Sequence, residues 1–431
     1  MACSDSARAR GHESRAEAVH GFIDRSAVME SMSTPRHRWI VFGAMTGVYF
    51  SFGIAVTAIA PMLTAVRDDL GVSRGAMGFA LGAWALIYIV TAPLAGRFID
   101  RIGLGWSLAL GGLSVSGSLV LRAAAQGLGS LWLAIAFFGV FGPLVSASAP
   151  KLMATWFPDE NERRRGVGWY SVAPAIGGTI TLAVTNPVLL EWFDSWRQVL
   201  VFEATIGAVA TMVWVVVWNR VERPTTTRVE PAAAGSADGS FRYLLGSSEI
   251  RLILFVAFAL FFLSHGTSNW MPTILEEFSG MSPSTAGAWL AVGGLVSIVA
   301  GATIPAYATP ERMHLLMAGL FGAAVLVMAG LLLAPTSLHG PIAVIGGVRG
   351  ALVPLAIVTL LAADRVSVTN TGIANGLWFS IAEIGGVSGP LVTGALADTD
   401  AGYEAALLTI AAIASLGGLV ALRSHRHLIS T

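Results

Sequence analysis

The stretch Gly96-Arg97-Phe98-Ile99-Asp100-Arg101-Ile102-Gly103 forms a short charged interruption between two long apolar runs. One run covers residues 75–98 and the other covers residues 105–126. A helix that crosses a lipid bilayer needs about 20 predominantly apolar residues. Each run has that length, so the sequence predicts two membrane-spanning helices joined by a tight charged turn.

The composition extends this prediction to the whole chain. Of the 431 residues, 55% are hydrophobic and only 12% are charged, whereas a soluble domain carries roughly 25% charged residues. A soluble enzyme, a disordered protein and a nucleic-acid-binding protein are therefore excluded. Runs such as 320–333 lack the alternation of a membrane-spanning β-strand, so we predict an all-α membrane protein. Twelve transmembrane helices are predicted, at residues 39–63, 75–98, 105–126, 130–156, 167–190, 196–219, 250–275, 284–308, 313–334, 341–362, 372–397 and 403–422.

Positive charges predict the orientation of the bundle. With the N-terminus in the cytoplasm, the inner segments hold 21 lysines and arginines and the outer loops hold four. Cytoplasmic loops are enriched in these residues, so both termini are predicted to be cytoplasmic. Residues 1–38 are polar and contain no apolar core of a signal peptide, and we expect a disordered tail there. The compact loops and the Arg-rich, Lys-poor composition favour a bacterial inner membrane.

A polar stretch divides the spans into two sets of six. Residues 220–249 are rich in Thr, Ala, Gly and Ser, a composition typical of a flexible linker. It would lie in the cytoplasm and join a bundle at 39–219 to a second bundle at 250–422, followed by a cytoplasmic tail at 423–431.

The two bundles also repeat each other in sequence. Residues of the first half recur in the second with a shift of 208 or 209 positions. A duplicated six-helix unit is a transporter architecture in which the substrate binds near the midplane, between the repeats. The recurring pairs include Gly71/Gly280, Ser73/Ser282, Gly177/Gly385 and Gly178/Gly386.

The turn at residues 96–103 has a chemistry suited to a latch. Gly96 allows two helices to approach closely, Asp100 can accept hydrogen bonds or pair with a cation, and Gly103 permits a tight turn. With Arg101, these residues resemble the loop signature Gly-x-x-x-Asp-Arg-x-Gly of the major facilitator superfamily. The resemblance implies a secondary carrier that works by alternating access, with this motif stabilising the outward-facing state.

Two further stretches resemble the Gly-Pro motif of drug/proton antiporters. Span 5 carries Pro174, Gly177 and Gly178, and span 11 carries Gly385, Gly389 and Pro390. Small residues and proline predict closely packed, pliable helices, so packing is the alternative to a substrate contact.

Two subgroups of the superfamily are also resembled in part. Ser51-Phe52-Gly53 and Trp156-Phe157 are similar to monocarboxylate carriers. The stretch 269–275 and Pro354-Leu355 are similar to cyanate and nitroimidazole-type anion carriers.

Ionisable groups inside the predicted spans are candidates for function, because they are costly in lipid. Arg349 in span 10 is suited to binding an anion, and a structural ion pair with Glu383 is the alternative. Glu383 in span 11 is suited to carrying a proton, and a neutral, hydrogen-bonded glutamic acid is the alternative. Glu203 in span 6 is expected to be structural. Arg122, near the end of span 3, is expected to snorkel towards the surface.

Polar and aromatic side chains complete the predicted substrate site. His265 and Asn269 are four residues apart and therefore share a helix face. Interhelical hydrogen bonding is the alternative for this pair, and packing is the alternative for the aromatic residues. The candidate cavity liners are His265, Asn269, Trp270, Tyr49, Trp84, Tyr88, Tyr170 and Trp378.

These observations predict a monomeric, proton-coupled secondary transporter of a small organic anion in the lipid bilayer. The first alternative is a proton-driven efflux pump for lipophilic or cationic compounds, and the second is a non-transporting receptor on the same fold. No catalytic residues, metal site or cofactor are expected, and no Walker loop for ATP is present in the sequence. The single Cys3 excludes a disulfide framework.

Overall fold

The computed structural model describes residues 35–157, 159–221, 237–309, 311–367 and 370–429. Within these residues the chain is helical without β-strands, and twelve helices are long and apolar enough to cross a membrane. This confirms the predicted fold class. In chain order, spans 1 to 12 are His37–Leu70, Arg74–Ile102, Leu104–Ala123, Leu128–Trp156, Arg165–Phe193, Trp196–Arg220, Ser248–Phe278, Pro283–Thr303, Met313–Leu333, Thr336–Leu361, Ile373–Ala397 and Gly402–Arg423.

Span 1 is broken near its far end. Its first α-helix, Pro35–Thr57, is followed by a 3-10 turn, Ala60–Met62, before a second α-helix, Leu63–Leu70. Pro61 lies in this turn, and proline cannot donate the backbone hydrogen bond that would continue an α-helix. The break leaves backbone carbonyls of the first helix available to other partners.

Span 10 is broken in its middle. The 3-10 segment Gly346–Ala351 separates the α-helices His339–Ile345 and Leu352–Leu361. Short 3-10 stretches within helices often mark functional hinges. Arg349, the predicted anion-binding residue, lies on this segment.

The internal repeat is visible in the packing of equivalent glycines. A Cβ atom built on Gly177 would lie 2.3 Å from the carbonyl oxygen of Phe50, and one built on Gly385 would lie 2.1 Å from that of Phe258. Both members of each pair are shifted by 208 residues. Spans 5 and 1 therefore cross as closely as spans 11 and 7, which gives the two bundles the same internal contact.

Repeated residues also begin equivalent helices. The Ser73 hydroxyl accepts a hydrogen bond from the backbone N–H of Ala76 at 3.2 Å, and the Ser282 hydroxyl accepts one from Thr285 at 3.3 Å. Serine at this position satisfies a backbone donor that the helix leaves free. The repeat thus fixes where spans 2 and 8 begin.

Three predicted boundaries differ from the structure. The first helix already begins at Pro35, within the predicted tail, and the last helix continues to Ile429. The predicted linker contains a helix, Ala237–Leu245, in which apolar residues are interspersed with polar ones. The expected disorder of residues 1–34 and flexibility of 222–236 fall outside the described residues.

The two halves touch at one end of the bundle, which we call the closed face; it carries the loops 71–73, 279–282 and 398–401. A Cβ built on Gly78 would lie 2.3 Å from the carbonyl oxygen of Pro390, and one on Gly287 would lie 2.4 Å from that of Leu182. Span 2 is thus in backbone contact with span 11, and span 8 with span 5. The opposite end, where span 1 begins and span 12 ends, we call the terminal face.

A candidate substrate and proton site between the two halves

A cavity of about 190 Å³ lies between the two halves. Spans 1 and 5 line it from the N-terminal half, and spans 7 to 10 line it from the C-terminal half. Arg349 is the one charged residue in the lining that the structure describes. The cavity is also lined by residues that carry hydroxyl groups, which are Thr57, Thr179, Thr267, Ser268 and Ser297.

Arg349 is held by one backbone and one side-chain contact. Its Nη1 donates to the carbonyl oxygen of Gly346 at 3.0 Å, and its Nη2 donates to the Ser268 hydroxyl at 3.2 Å. The ion pair with Glu383, the structural alternative for Arg349, is not formed among the described residues. The guanidinium retains unused donors, which can bind a carboxylate with two parallel hydrogen bonds.

A second polar site, formed by Glu383 and His265, lies about one helical turn from Ser268 along span 7. The Glu383 side chain is 4% exposed, and its Oε2 makes no hydrogen bond within the described structure. The Nδ1 of His265 is likewise buried without a partner. A Cβ built on Gly386 would lie 2.3 Å from His265 Nδ1 and 2.6 Å from Glu383 Oε2, so both atoms border the same small space beside this glycine.

Aromatic residues of the N-terminal half cover this second site. The ring of Trp84 packs edge-on against the His265 imidazole, with centroids 5.2 Å apart, and against Tyr88 at 5.8 Å. The Tyr88 hydroxyl is hydrogen-bonded to the Ser146 hydroxyl and lies within range of the Glu383 charge. The predicted residues Trp84, Tyr88, His265 and Glu383 therefore form one cluster that crosses between the halves.

Tyr49 and Tyr170 extend this cluster within the N-terminal half. Their rings meet edge-on with centroids 5.3 Å apart, and the Tyr49 hydroxyl donates to the Ser146 carbonyl oxygen at 2.7 Å. Ser146, which sequence reasoning missed, thus joins spans 1, 2 and 4. Small polar residues in apolar spans are common, and nothing in the sequence distinguishes this serine.

Span 7 connects the two sites. His265 and Ser268 are three residues apart, which is roughly 4.5 Å along a helix axis. The cavity around Arg349 and the His265–Glu383 cluster are therefore neighbours on one helix, and a movement of span 7 affects both.

Three other predicted liners are occupied by contacts within the C-terminal half. Asn269 donates to the backbone carbonyl of His265 at 2.8 Å, so the predicted pair is joined through the backbone. Trp270 is fully buried and donates to the Pro390 carbonyl at 3.0 Å. Trp378 is also fully buried and packs against Phe261.

Charged residues that sequence reasoning did not select hold the closed face. Glu277, at the end of span 7, accepts a hydrogen bond from Arg67 of span 1 at 2.9 Å and also pairs with Arg74 of span 2. Tyr403 of span 12 donates to the same carboxylate at 3.3 Å. The available signal was weak: Arg67 and Arg74 are two of the few arginines on the face that is otherwise poor in positive charge.

The comparison with known families identifies the architecture. The sequence model of the Major Facilitator Superfamily matches residues 45–362. The chain belongs to the major facilitator superfamily.

Relatives with assigned roles match this superfamily member over most of their length. It is 26% identical to the hexuronate transporter of Bacillus subtilis (strain 168) over 388 residues, covering 84% of this chain and 89% of that protein. It is 25% identical to the D-galactonate transporter of Escherichia coli O6:H1, covering 82% and 87% of the two chains. The protein is therefore a multi-pass membrane transporter and not an enzyme. The two predicted subgroups, monocarboxylate carriers and cyanate-type anion carriers, stay predictions.

A solved structure shows the same fold. A bacterial homologue of the human lysosomal transporter Spinster, in an inward-facing and unoccupied conformation, superposes with a TM-score of 0.71 at 15% identity. The match covers 92% of this chain and 99% of that one.

Only some residues of the superfamily signature make the contacts that were expected of them. Asp100 pairs with Lys151 of span 4, and Gly103 adopts φ +85° in the turn between spans 2 and 3. The expectation that Gly96 lies at a close helix contact is wrong, because no described atom lies within 4 Å of a Cβ built there. At the terminal face span 2 is thus not in backbone contact through this glycine, unlike at the closed face.

The Gly-Pro stretches of spans 5 and 11 lie at close backbone contacts. Besides Gly177 and Gly385, a Cβ on Gly389 would lie 2.4 Å from the Phe262 carbonyl oxygen, and one on Gly178 would lie 2.6 Å from the Thr57 hydroxyl. The Pro174 carbonyl oxygen faces Gly53 of span 1. Packing, the alternative to substrate contact, accounts for these contacts, although Pro174 and Gly178 also border the cavity.

Proposed function

We propose that this protein is a proton-coupled secondary transporter of small organic anions, with polyhydroxylated carboxylates such as hexuronates as the substrate class. The observation that carries the proposal is Arg349, a single cation with unused donors in a cavity lined by hydroxyl groups. A carboxylate suits the guanidinium fork, and hydroxyl groups of the ligand suit the surrounding Ser and Thr side chains. The names of the hexuronate and galactonate transporters support the same class.

Proton coupling is assigned to the pair Glu383 and His265. An ionised carboxylate is unfavourable in an apolar interior unless hydrogen-bond donors stabilise it. Glu383 Oε2 has none in the described structure, so the neutral acid suits this conformation. Movement of span 7, which carries both His265 and the Arg349 partner Ser268, gives the proton site and the anion site a common mechanical element.

The arrangement of the halves supports alternating access as the transport mechanism. The closed face is held by ion pairs and close glycine contacts, whereas Gly96 of the superfamily signature, at the terminal face, makes no close contact with another described helix. We assign this conformation as open towards the terminal face. The excess of Lys and Arg on that face supports a cytoplasmic location for it and for both termini in a bacterial cell. We therefore propose that the conformation is inward-facing.

The test is ligand-induced thermal stabilisation of the purified protein, because a ligand that binds only the folded state raises its apparent stability. The panel contains galacturonate, galactonate, neutral galactose and the lipophilic cation tetraphenylphosphonium. We expect both carboxylates to stabilise the wild type and galactose to have no effect. Arg349→Ala should lose the effect, Arg349→Lys should retain part of it, and Arg423→Ala, an exposed arginine at the end of span 12, should behave as wild type.

The same panel discriminates the alternative of an efflux pump. Stabilisation by tetraphenylphosphonium alone, equal in the wild type and in Arg349→Ala, would reject the anion site and favour efflux of lipophilic cations.

A further inference from the structure

A second pair of buried ionisable groups lies in the N-terminal half, away from the cavity. The side chain of Glu203 in span 6 is 2% exposed, and that of Arg122 in span 3 is 3% exposed. The expectation that Arg122 snorkels to the surface is therefore wrong. Burying two charges in a bundle of apolar helices is expensive unless each is satisfied by partners.

The side chains of Arg122 and Glu203 differ in their hydrogen bonds. Arg122 Nη1 donates to the Ala55 carbonyl oxygen at 2.7 Å, its Nε donates to the Ser118 hydroxyl at 3.1 Å, and its guanidinium lies 5.6 Å from the Phe138 ring centroid. Both carboxyl oxygens of Glu203 are buried without a hydrogen bond in the described structure. Span 3 packs against span 6, and the Arg122 charge is near enough to act on Glu203, but Arg122 gives its hydrogen bonds to other groups.

Among the described residues of the helices packed against span 6, no charged group other than Arg122 acts on Glu203. From span 3 the facing charged group is Arg122. The residues of span 1 around Ala55, from 50 to 60, are uncharged. Glu191, in the short helix Leu190–Phe193 before span 6, is exposed.

The Arg122 contact lies at the break in span 1. Ala55 is in the last turn of the helix Pro35–Thr57, and Thr57 lines the cavity. A cation that bonds the last carbonyls of a helix stabilises its end, both by the hydrogen bond and through the helix dipole. Arg122 therefore holds the end of the helix that borders the substrate cavity.

We propose that Glu203 is a second proton-binding site, and that its protonation decides whether Arg122 caps span 1 at Ala55 or pairs with Glu203. The neutral acid tolerates a site without donors, so the observed arrangement is the protonated one. The carboxylate requires a cation, and Arg122 is the charged group that faces it. Loss of the proton therefore draws Arg122 away from Ala55 and loosens the break in span 1.

The first test is infrared difference spectroscopy of the lipid-reconstituted protein during a pH titration, which detects the C=O stretch of a protonated carboxylic acid. The background is Glu276→Gln with Glu383→Gln, which removes two other carboxyls that have a buried oxygen without a hydrogen bond in the described structure. In this background we expect such a band, which disappears as the pH rises. The band should be missing when Glu203→Gln is added and unchanged when Glu191→Gln is added instead. A band that survives Glu203→Gln, or the absence of any titrating band in the background protein, would overturn the proposal.

The second test measures the break itself. In a Cys3→Ser background, Thr57→Cys places a single thiol at the end of the helix, and its labelling rate by a small thiol reagent is followed with pH. The labelling rate of this protein is divided by the labelling rate of its Glu203→Gln derivative, which removes the intrinsic pH dependence of the thiol. We expect a ratio near one in acid that rises at least about fivefold in alkali, the change that about 1 kcal/mol produces in an equilibrium.

A ratio of one at every pH would contradict the switch. Neither readout uses a transported substrate, so failure of the anion-transport proposal and failure of this one are separate results.

Discussion

Gly75, at the start of span 2, donates its backbone N–H to the carboxylate of Asp398, which follows span 11, at 2.7 Å. The backbone N–H of Arg74 donates to the other oxygen of the same carboxylate at 3.0 Å. The first N–H groups of a helix have no partner within that helix. A side chain of the C-terminal half therefore caps a helix of the N-terminal half, and the cap exists only while the closed face is closed.

The cap predicts an acid-sensitive closed face. Partial burial opposes ionisation of Asp398, but hydrogen bonds from Gly75, Ser73 and Arg74, with the Arg74 charge, hold the pKa of this carboxyl below its ordinary value. A lowered pKa means that the stabilisation is complete above the ordinary value of 3.8 and is lost as the pH falls through the lowered one. We expect the closed face to stay closed from neutral pH to about pH 5 and to open progressively in stronger acid.

This prediction is checked with spin labels on two exposed positions of the closed face, Ala124 in one half and Asp400 in the other. Their distance should increase in acid in the wild type. Asp398→Asn should remove the part of the pH dependence that belongs to this cap. An identical pH profile in both proteins would show that Asp398 does not hold the face.

Close glycine contacts predict a steric way to open the same face. Gly78→Ala places a methyl group 2.3 Å from the Pro390 carbonyl oxygen. Overpacking of this kind costs about 1–3 kcal/mol, which shifts the equilibrium between closed and open forms by roughly one to two powers of ten. The spin-label pair should report a larger open population. Gly43→Ala, in span 1 with no described atom within 4 Å, is the matched control and should leave the distance unchanged.

Within the C-terminal half, the same kind of steric clash is predicted to lower the stability of the protein without opening the closed face. Gly385→Ala would place its methyl 2.1 Å from the Phe258 carbonyl oxygen, whereas Gly376→Ala in the same helix meets no described atom within 4 Å. We expect Gly385→Ala to lower the free energy of unfolding by about 1–3 kcal/mol and Gly376→Ala to leave it nearly unchanged. Thermal unfolding in detergent measures the difference, and equal melting temperatures for the two variants would refute the proposed helix contact.

Glu383→Gln is predicted to separate proton coupling from anion binding. The amide keeps the shape of the side chain but cannot exchange a proton at physiological pH. Reconstituted Glu383→Gln should still exchange external for internal galacturonate, since Arg349 is intact, but should no longer accumulate it in response to a pH gradient. If the variant accumulates galacturonate as the wild type does, the proton site lies elsewhere.

Hydropathy was sufficient to predict the twelve spans because the bilayer imposes a length and a composition on each of them. The repeat was visible for a related reason: positions such as Gly177 and Gly385 must lack a side chain wherever two helices cross at backbone distance. These constraints act on single residues at fixed positions, so they can be recognised in the sequence without knowledge of the three-dimensional packing.

Partners of buried charges depended on three-dimensional packing and were predicted less well. Depth in the membrane indicated Arg349 and Glu383 as a possible ion pair, but the structure places them at two neighbouring sites. Arg122 lies close to the end of its helix, which suggested snorkelling, yet the break in span 1 offers it a carbonyl inside the bundle. Asp398 was not selected from the sequence, because its role as a cap requires the other half of the molecule.

The proposed function depends on Arg349 binding an organic anion whose movement is coupled to protons. Its most direct test is proteoliposomes that contain a pH-sensitive dye and receive external galacturonate. We expect internal acidification with the wild type, and the same acidification with Arg423→Ala. In Arg349→Ala the galacturonate concentration for half-maximal effect should rise about 10- to 100-fold or the effect vanish, since a hydrogen bond to a charged group contributes about 1.5–3 kcal/mol. Two results would argue against proton-coupled anion transport through Arg349. One is acidification of equal size and concentration dependence in Arg349→Ala, and the other is galacturonate uptake by the wild type without acidification.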